Sequence, residues 1–406
     1  MARYEGSIWA YAWDIQDKGV GTALGEIQDR GGLQGVNIAT AYHSGKFLHV
    51  HNPVRRVVFP QPGALYFTPD SSWHGRIRIK PPIWEGASSS FWQDVRNETS
   101  KRGMTFTAWT LCLHNSMIGF TYPDCAVENA YGDRLAPNLC PNSSDVRQYQ
   151  VALYRDIAEH LHPDRILMEA LEYMPFQHGY HHEVNGVPLP PGVDFLMSLC
   201  FCSNCEAASR ERGIDVSRIR AWTKDTLDRH FADPFSAPVE LDWNDLKSAL
   251  GGEFQAYLDM RCDTLTSLLR EIVENIREVS TCRIGVCDFG PLFPLGPDGR
   301  RWQTGVDLNE YLKLVDEAHP TFYFTDLDVH LAKIDEYLGV LQNEKPMHAA
   351  LRAILPQIAS PEQLRAQLEP LGPHVEGVSF YNYGFMALPV LDWIRDGMQH
   401  IAGGES

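Results

Sequence analysis

Eight short apolar runs separated by amphipathic segments limit the possible folds of this chain more than any other feature. Each run is five to eight residues long, the usual length of a buried strand. The predicted strands cover residues 7–13, 35–42, 104–110, 165–170, 283–287, 321–325, 347–351 and 377–381. Helical periodicity lies between most of them, most clearly over residues 144–161. This alternation predicts an α/β fold with a parallel sheet.

Eight strands with crossover helices match a (β/α)8 barrel, also called a TIM barrel. A doubly wound open sheet is the alternative, and the lack of a glycine-rich phosphate loop after the first strand disfavours it. Residues 44–90 after the second strand and 174–252 after the fourth are too long for simple connections, so we expect insertions there. With no repeat and no clear linker, residues 1–406 are predicted to form one barrel domain.

The charge balance limits the partners that this chain can have. A net charge of −17, with no basic run to offset it, disfavours nucleic acids and anionic membranes. We therefore expect a small neutral or cationic ligand, and the sequence leaves a homo-oligomer open. Ten tryptophans and 16 tyrosines would suit the stacking of sugar rings, although each one is also an ordinary core residue.

The N-terminal residues and the cysteines point to a reducing compartment. Residues 1–6 lead directly into the first predicted strand without the apolar core of a signal peptide. The sequence has no apolar stretch of about 18 residues that would predict a membrane span. Nine cysteines, an odd number, are typical of reduced thiols, some of them on metal. A cytoplasmic protein is the expectation.

Polar and aromatic residues follow every predicted strand, which is where barrel enzymes carry their active sites. A solvated loop is the ordinary explanation for any single one of them. Taken as a set, they predict a polyol-binding site. The candidate substrate-binding residues are Trp13, Asp14, His43, Trp109, His114, His178, His181, His182, Asp328, Arg352, Tyr381 and Asn382. The three histidines at 178–182 suit either hydroxyl binding or a metal ion.

Hydrolysis of a glycosidic bond needs two carboxyl groups, one to protonate the leaving oxygen and one to attack or to activate water. Glu169 and Glu172 follow the fourth predicted strand. Because they are three residues apart, a regular strand would turn only one of them toward the pocket, and we favour Glu172. The candidates for the second carboxyl are Asp288, Asp326 and Asp328.

Three cysteines at C-x-C-x2-C spacing, Cys200, Cys202 and Cys205, can converge on one soft metal such as zinc. The alternative is three buried thiols without metal. A closed tetrahedral site needs a fourth ligand, for which Cys140 is a candidate. The other options for that position are Cys112, Cys125, His181 and His182.

These motifs together resemble the family 42 β-galactosidases, barrel glycoside hydrolases of the retaining clan. That family carries a C-x-C-x2-C run after a strand-four Asn-Glu-Tyr, and the run binds a structural zinc together with an earlier cysteine. The resemblance implies that Glu172 is the acid/base and that the cysteines hold zinc. Residues 139–147 also look like the step before strand four in uncharacterised barrel hydrolases.

The chain departs from the family pattern at important positions. Leu171 replaces the Asn, and the gap from Glu172 to Cys200 is longer than in the family. The seventh strand carries no carboxylate, whereas the clan has its nucleophile there; this strand is followed by Arg352.

The leading hypothesis is a glycoside hydrolase that acts on a small glycoside or oligosaccharide, with Glu172 as acid/base. A metal-dependent sugar isomerase, epimerase or lyase on the same barrel is the second hypothesis. A non-catalytic carbohydrate-binding barrel is the third, motivated by the missing strand-seven carboxylate.

Overall fold

The computed structural model describes residues 4–178, 183–289, 303–341 and 345–403. Its strands are β1 (Glu5–Ala10), β2 (Gly35–Ala41), β3 (Phe47–Leu48), β4 (Val57–Val58), β5 (Thr105–Leu111), β6 (Ala126–Glu128), β7 (Arg134–Leu139), β8 (Arg165–Glu169), β9 (Arg283–Asp288), β10 (Glu317–Phe322), β11 (His348–Arg352) and β12 (Gly377–Tyr381). Eight of them close into a parallel barrel in the order β1-β2-β5-β8-β9-β10-β11-β12, and β12 pairs with β1. The predicted (β/α)8 fold is confirmed.

Helices surround the barrel and also fill the long connections. They are α1 (Ala12–Lys18), α2 (Val20–Asp29), α3 (Ser71–His74), α4 (Ser89–Arg102), α5 (Ser116–Thr121), α6 (Ser144–Asp156), α7 (Pro191–Ser198), α8 (Ser203–Glu211), α9 (Val216–Ala232), α10 (Trp243–Ser248), α11 (Glu253–Arg277), α12 (Leu308–Leu314), α13 (Leu327–Leu341), α14 (Pro361–Leu368) and α15 (Pro389–Gly403). None of the helices in the described part of the chain is long and apolar enough to cross a lipid bilayer.

Helix α11 illustrates how the sequence pattern sets the packing. Its residues Leu265, Leu268, Leu269, Ile272 and Ile276 recur at helical spacing and are fully buried. Burying a side chain of this size contributes about 1.5–3 kcal/mol. The stripe therefore fixes which face of α11 lies against the barrel.

The strand predictions differ from the structure at two places. The first strand ends at Ala10, and α1 begins two residues later, so residues 11–13 are not strand. The sixth strand covers residues 317–322 and not 321–325. Glu317, His319 and Pro320 interrupt its apolar pattern, although the whole strand is buried.

The long connections carry small structures of their own. After β2, the chain forms the β3–β4 hairpin, which His49 links to Asp14 of α1 through a 2.7 Å contact. After β8, helices α7 to α10 pack around a second apolar core that includes Phe195, Leu227 and Tyr257. A third excursion, the β6–β7 hairpin after β5, was not predicted.

A buried ionic cluster occupies the N-terminal end of the barrel. Arg165 lies 2.9 Å from Glu5 and also pairs with Glu317. His319 lies 2.9 Å from Oε1 of Glu317, and His348 lies 3.5 Å from its Oε2. Because this end is packed with paired charges, a ligand site is left to the opposite end.

Candidate active site

A cavity of about 410 Å³ opens at the C-terminal end of the barrel strands. Its lining is made of aromatic rings, histidines, carboxyls and one arginine. The lining residues are Trp9, Tyr42, His43, Trp109, Leu111, His114, Glu169, Ala170, Glu172, Met174, Pro175, His178, Phe289, Thr304, Tyr323, Arg352 and Tyr381. The cavity therefore lies where the barrel rule predicts an active site.

Many of the predicted site residues meet in this cavity. The residues brought together are Glu169, Glu172, His43, Trp109, His114, His178, Arg352 and Tyr381. They come from different strand ends, which explains why no compact sequence motif contains them. His181 and His182 lie outside the described residues.

The cavity lining does not include the predicted ligand-binding residues Trp13, Asp14 and Asn382. Trp13 and Asp14 are buried in α1, and both contact His49 of the β3–β4 hairpin. Asn382 is buried as well, and its side-chain oxygen accepts a 3.0 Å hydrogen bond from the backbone of Gly384. These side chains contact other parts of the chain and do not line the cavity.

The predicted second carboxyls also lie elsewhere. Asp288 is buried, and its Oδ2 accepts a 2.5 Å hydrogen bond from the Tyr337 hydroxyl. Asp326 lies just before α13, where its carboxylate accepts the backbone N–H of Asp328 at 2.8 Å. Asp328 is exposed in the first turn of α13. None of these three aspartates lines the cavity, so the second carboxyl has to come from another residue.

The expectation that only one of Glu169 and Glu172 faces the pocket is wrong. Strand β8 ends at Glu169, and the next residue, Ala170, has a φ of +56°. This left-handed conformation costs a non-glycine residue roughly 1–2 kcal/mol. It breaks the alternation of the strand, and both glutamates line the same cavity. The structure thus offers a pair of carboxyls from one strand end.

Glu169 has the electrostatic character of a proton donor. Burial raises its pKa to about 7, and a hydrogen bond that Trp109 Nε1–H donates to its Oε2 lowers the pKa only in part. A carboxyl with this pKa is partly protonated at neutral pH, which is the state that a general acid needs. Glu172, which is 9% exposed, lies beside it in the cavity lining.

Aromatic and imidazole rings form one continuous wall of the cavity. Trp9 and Trp109 meet edge to face at 4.8 Å between ring centroids. Tyr42 stacks on His43 at 4.4 Å, and His43 lies 4.4 Å from His114. Rings with polar edges suit a sugar, which has both apolar faces and hydroxyls.

Several lining residues were missed at the sequence level. Trp9 lies inside β1, and Tyr323 lies directly after β10. The inward parity of β1 could have identified Trp9, because alternate residues of a barrel strand point inside. Tyr323 was hidden by the misplaced end of the sixth strand.

Four buried cysteines form a cluster that is separate from the cavity lining. The sulfur of Cys140 lies 3.5 Å from those of Cys202 and Cys205, and the four ligand sulfurs, including that of Cys200, lie within 4.8 Å of one another. A tetrahedral zinc with Zn–S distances of about 2.3 Å separates its sulfurs by about 3.8 Å, so the geometry fits a metal. Asn142 Nδ2 donates a 3.3 Å hydrogen bond to Cys205.

The cluster joins parts of the chain that are far apart in sequence. Cys140 follows β7, whereas Cys200 and Cys202 lie between α7 and α8 and Cys205 lies in α8. Cys112 and Cys125, two of the other predicted options, contact Tyr154 and Ser143 and are not part of it. Hydrogen bonds from the neighbouring thiols, Cys140 first, lower the pKa of Cys202, which favours a thiolate there.

Several known structures resemble this chain over nearly its whole length. The catalytic domain of a β-amylase from Paenibacillus polymyxa covers 100% of this chain and 99% of its own, with a TM-score of 0.58 and 12% identity. The glycoside hydrolase domain of PgaB (BpsB) from Bordetella bronchiseptica covers 97% and 99%, with a TM-score of 0.59 and 14% identity. The barrel is shared with glycoside hydrolases.

A third structure extends the similarity. An endo-1,4-β-mannanase from Rhizomucor miehei covers 98% of this chain and 95% of its own, with a TM-score of 0.53 and 11% identity. No protein-family model and no curated protein sequence matches this chain. At identities this low, the structural similarity shows the fold alone, and the chemistry has to be argued from the site.

Proposed function

We propose that this chain is a glycoside hydrolase in which Glu169 and Glu172 are the two catalytic carboxyls. The observation that carries the proposal is the turn at Ala170, which leaves both glutamates in one aromatic-lined cavity at the C-terminal end of the barrel. The shared fold with glycoside hydrolases supports it. Family 42 membership stays a prediction.

The surroundings of the two carboxyls suggest different roles. Glu169, with its pKa raised to about 7 by burial, would protonate the oxygen of the leaving group. Glu172 would act as the carboxylate that attacks the anomeric carbon or activates a water molecule. Trp109 would keep the Glu169 carboxyl in place through its Nε1–H hydrogen bond. This reverses the sequence-based preference for Glu172 as the acid.

The experiment is to compare Glu169→Gln, Glu172→Gln and the control Asp326→Asn on a panel of aryl and oligosaccharide glycosides. Each glutamine variant should lower kcat by about 10²–10⁴-fold, because it removes a proton donor or a nucleophile but keeps the side-chain shape. Asp326→Asn, an exposed carboxyl outside the cavity, should keep wild-type activity. Activity should also fall as the pH rises through about 7, where Glu169 loses its proton.

Full activity of either glutamine variant on a substrate that the wild type cleaves would refute the assignment of that residue. An equal loss in the Asp326 control would attribute the effect to the fold and not to the cavity.

The metal-dependent isomerase hypothesis finds little support in the cavity. Among the residues that the structure describes, the groups spaced to hold a metal are the four cysteines and the set Asp124, Cys125 and Asp145. Neither group lines the cavity, and Arg78 pairs with both aspartates of the second group. Activity lost with a chelator and rescued by Mn²⁺ or Mg²⁺ would nevertheless favour that hypothesis.

We further infer that the four-cysteine cluster holds a structural zinc. Four thiolates would complete a tetrahedral shell and leave no position for a substrate. Elemental analysis of the purified protein should find one zinc per chain. Cys202→Ser should lose that metal and about 4 kcal/mol of unfolding free energy, the gain expected from a ligand at a thousand times its Kd.

The matched control for this experiment is Cys282→Ser, because Cys282 is buried but lies outside the cluster. It should keep both the metal and most of the stability. A wild-type protein that is fully stable without any metal would contradict the zinc assignment.

A further inference from the structure

Arg352 is a cationic side chain that lines the candidate site. It is the last residue of β11, and it pairs in register with Tyr381 of β12. It lines the central cavity and also an adjoining groove of about 680 Å³. Among the described lining residues of the central cavity, it is the only arginine or lysine.

Arg352 differs from the buried arginine of β8. Arg165, at the opposite end, is paired with Glu5 and Glu317. Arg352 has no carboxylate partner among the described residues, and its Nε is buried without a hydrogen-bond acceptor there. A half-buried guanidinium without a counter-charge is costly, and a ligand that brings the charge removes that cost.

Glu169 does not supply the counter-charge, although it lines the same cavity. A guanidinium in contact with a carboxylate lowers the pKa of that carboxyl. The pKa of Glu169 is instead raised by burial, with Trp109 as the group that opposes the rise. The positive charge of Arg352 therefore remains available to a ligand.

We propose that Arg352 binds an anionic group of the substrate, so that the preferred substrate is an acidic sugar that carries a carboxylate or a sulfate. The planar fork of a guanidinium matches both groups with two parallel hydrogen bonds. The inference rests on the proposed function for the sugar part of the ligand. It departs from the expectation of a neutral or cationic ligand, because the net charge of −17 describes the whole surface and not this cavity.

The test is a binding titration of the full-length wild-type protein with matched sugar pairs: glucuronate against glucose, galacturonate against galactose, and glucose 6-sulfate against glucose. At least one acidic sugar should bind about tenfold or more tightly than its neutral partner. The uronates and the sulfate ester separate the two sources of negative charge. The preference should weaken as salt is added, because the attraction is between charges.

Two variants assign that preference to Arg352. Arg352→Gln should abolish the preference for the acidic sugar, and Arg352→Lys should keep part of it, because lysine retains the charge but loses the fork. Lys46→Gln is the matched control, since Lys46 is an exposed cation of the adjoining groove and does not line the central cavity. It should leave the preference unchanged.

Equal binding of acidic and neutral sugars by the wild type would overturn the proposal, as would a preference that survives in Arg352→Gln. Binding is measured without turnover, so the role of Arg352 and the hydrolase function can be refuted independently. An acidic sugar that binds through Arg352 but is never cleaved from any glycoside would leave this site standing and refute the hydrolase. Cleavage with no preference for acidic sugars would support the hydrolase and refute the role of Arg352.

Discussion

Two glutamates at opposite ends of the same barrel, the half-buried Glu169 and the buried Glu317, have pKa values shifted in opposite directions. Burial is the largest influence on both, and it raises the pKa of each carboxyl. At the cavity end, little opposes this effect, and the pKa of Glu169 reaches about 7. At the N-terminal end, the hydrogen bond from His319 and the charges of His319 and Arg165 outweigh burial, and the pKa of Glu317 falls well below its usual range.

The difference shows that burial alone does not decide whether a carboxyl is stable as an anion. Glu317 is surrounded by partners that hold its charge, so it serves the structure. Glu169 has one neutral donor, the Trp109 Nε1–H, so its carboxyl keeps its proton up to about neutral pH. A perturbed pKa without a charge partner, in a cavity, is the pattern expected of a reactive group.

The largest expected effect is a difference in unfolding free energy between variants of the two glutamates. Glu317→Gln should lower the free energy of unfolding by about 3–5 kcal/mol, because it leaves Arg165 buried with one of its two counter-charges removed. Glu169→Gln should cost almost nothing in stability at pH 7, because the variant removes a poorly solvated carboxylate. Urea unfolding of both variants beside the wild type measures the difference. Similar losses in the two variants would break the comparison.

A smaller effect is the pH dependence of stability, which should have opposite signs for Glu169 and Glu317. The folded pKa of Glu169 is about 7 against 4.5 for the free side chain, so its ionisation destabilises the fold as the pH rises between these values. The penalty above pH 7 is on the order of 3 kcal/mol. Glu169→Gln should therefore gain stability relative to the wild type as the pH rises from 4.5 to 7.

Glu317 should behave in the opposite way. Its folded pKa is lowered, so its contribution is present above about pH 4.5 and is lost as the pH falls below that value. The stability gap between the wild type and Glu317→Gln should shrink on acidification. Unfolding free energies measured from about pH 2 to 8 cover both slopes, and parallel curves for the two variants would contradict the assignment of opposite pKa shifts.

The barrel could be predicted from the sequence because its strands are short apolar runs between helices with clear periodicity. The sixth strand was misplaced because polar residues interrupt its apolar pattern. Glu317 and His319 are polar residues inside a buried strand, and their partners Arg165 and His348 lie on other strands. Pairing across a barrel leaves no trace in a local pattern.

The candidate site was only partly predictable. Strand ends identified Glu169, Glu172 and Arg352, since position along a strand decides which end of the barrel a residue occupies. The direction of a side chain was harder to predict: Asp288 follows the rule for position, but Tyr337, 49 residues further on, binds it away from the cavity. Cys140 was one option among several, because its partner Cys205 lies 65 residues away.

The left-handed backbone at Ala170 has a consequence for recognising relatives of this protein. Two glutamates three residues apart are common in any sequence, and on an uninterrupted strand they would face opposite sides. A distant barrel could have the same four residues and lack the paired carboxyls. Another could have the paired carboxyls with different residues around a similar turn. A search that compares backbone conformation after the fourth barrel strand would distinguish these cases, whereas a search for the four-residue sequence alone would not.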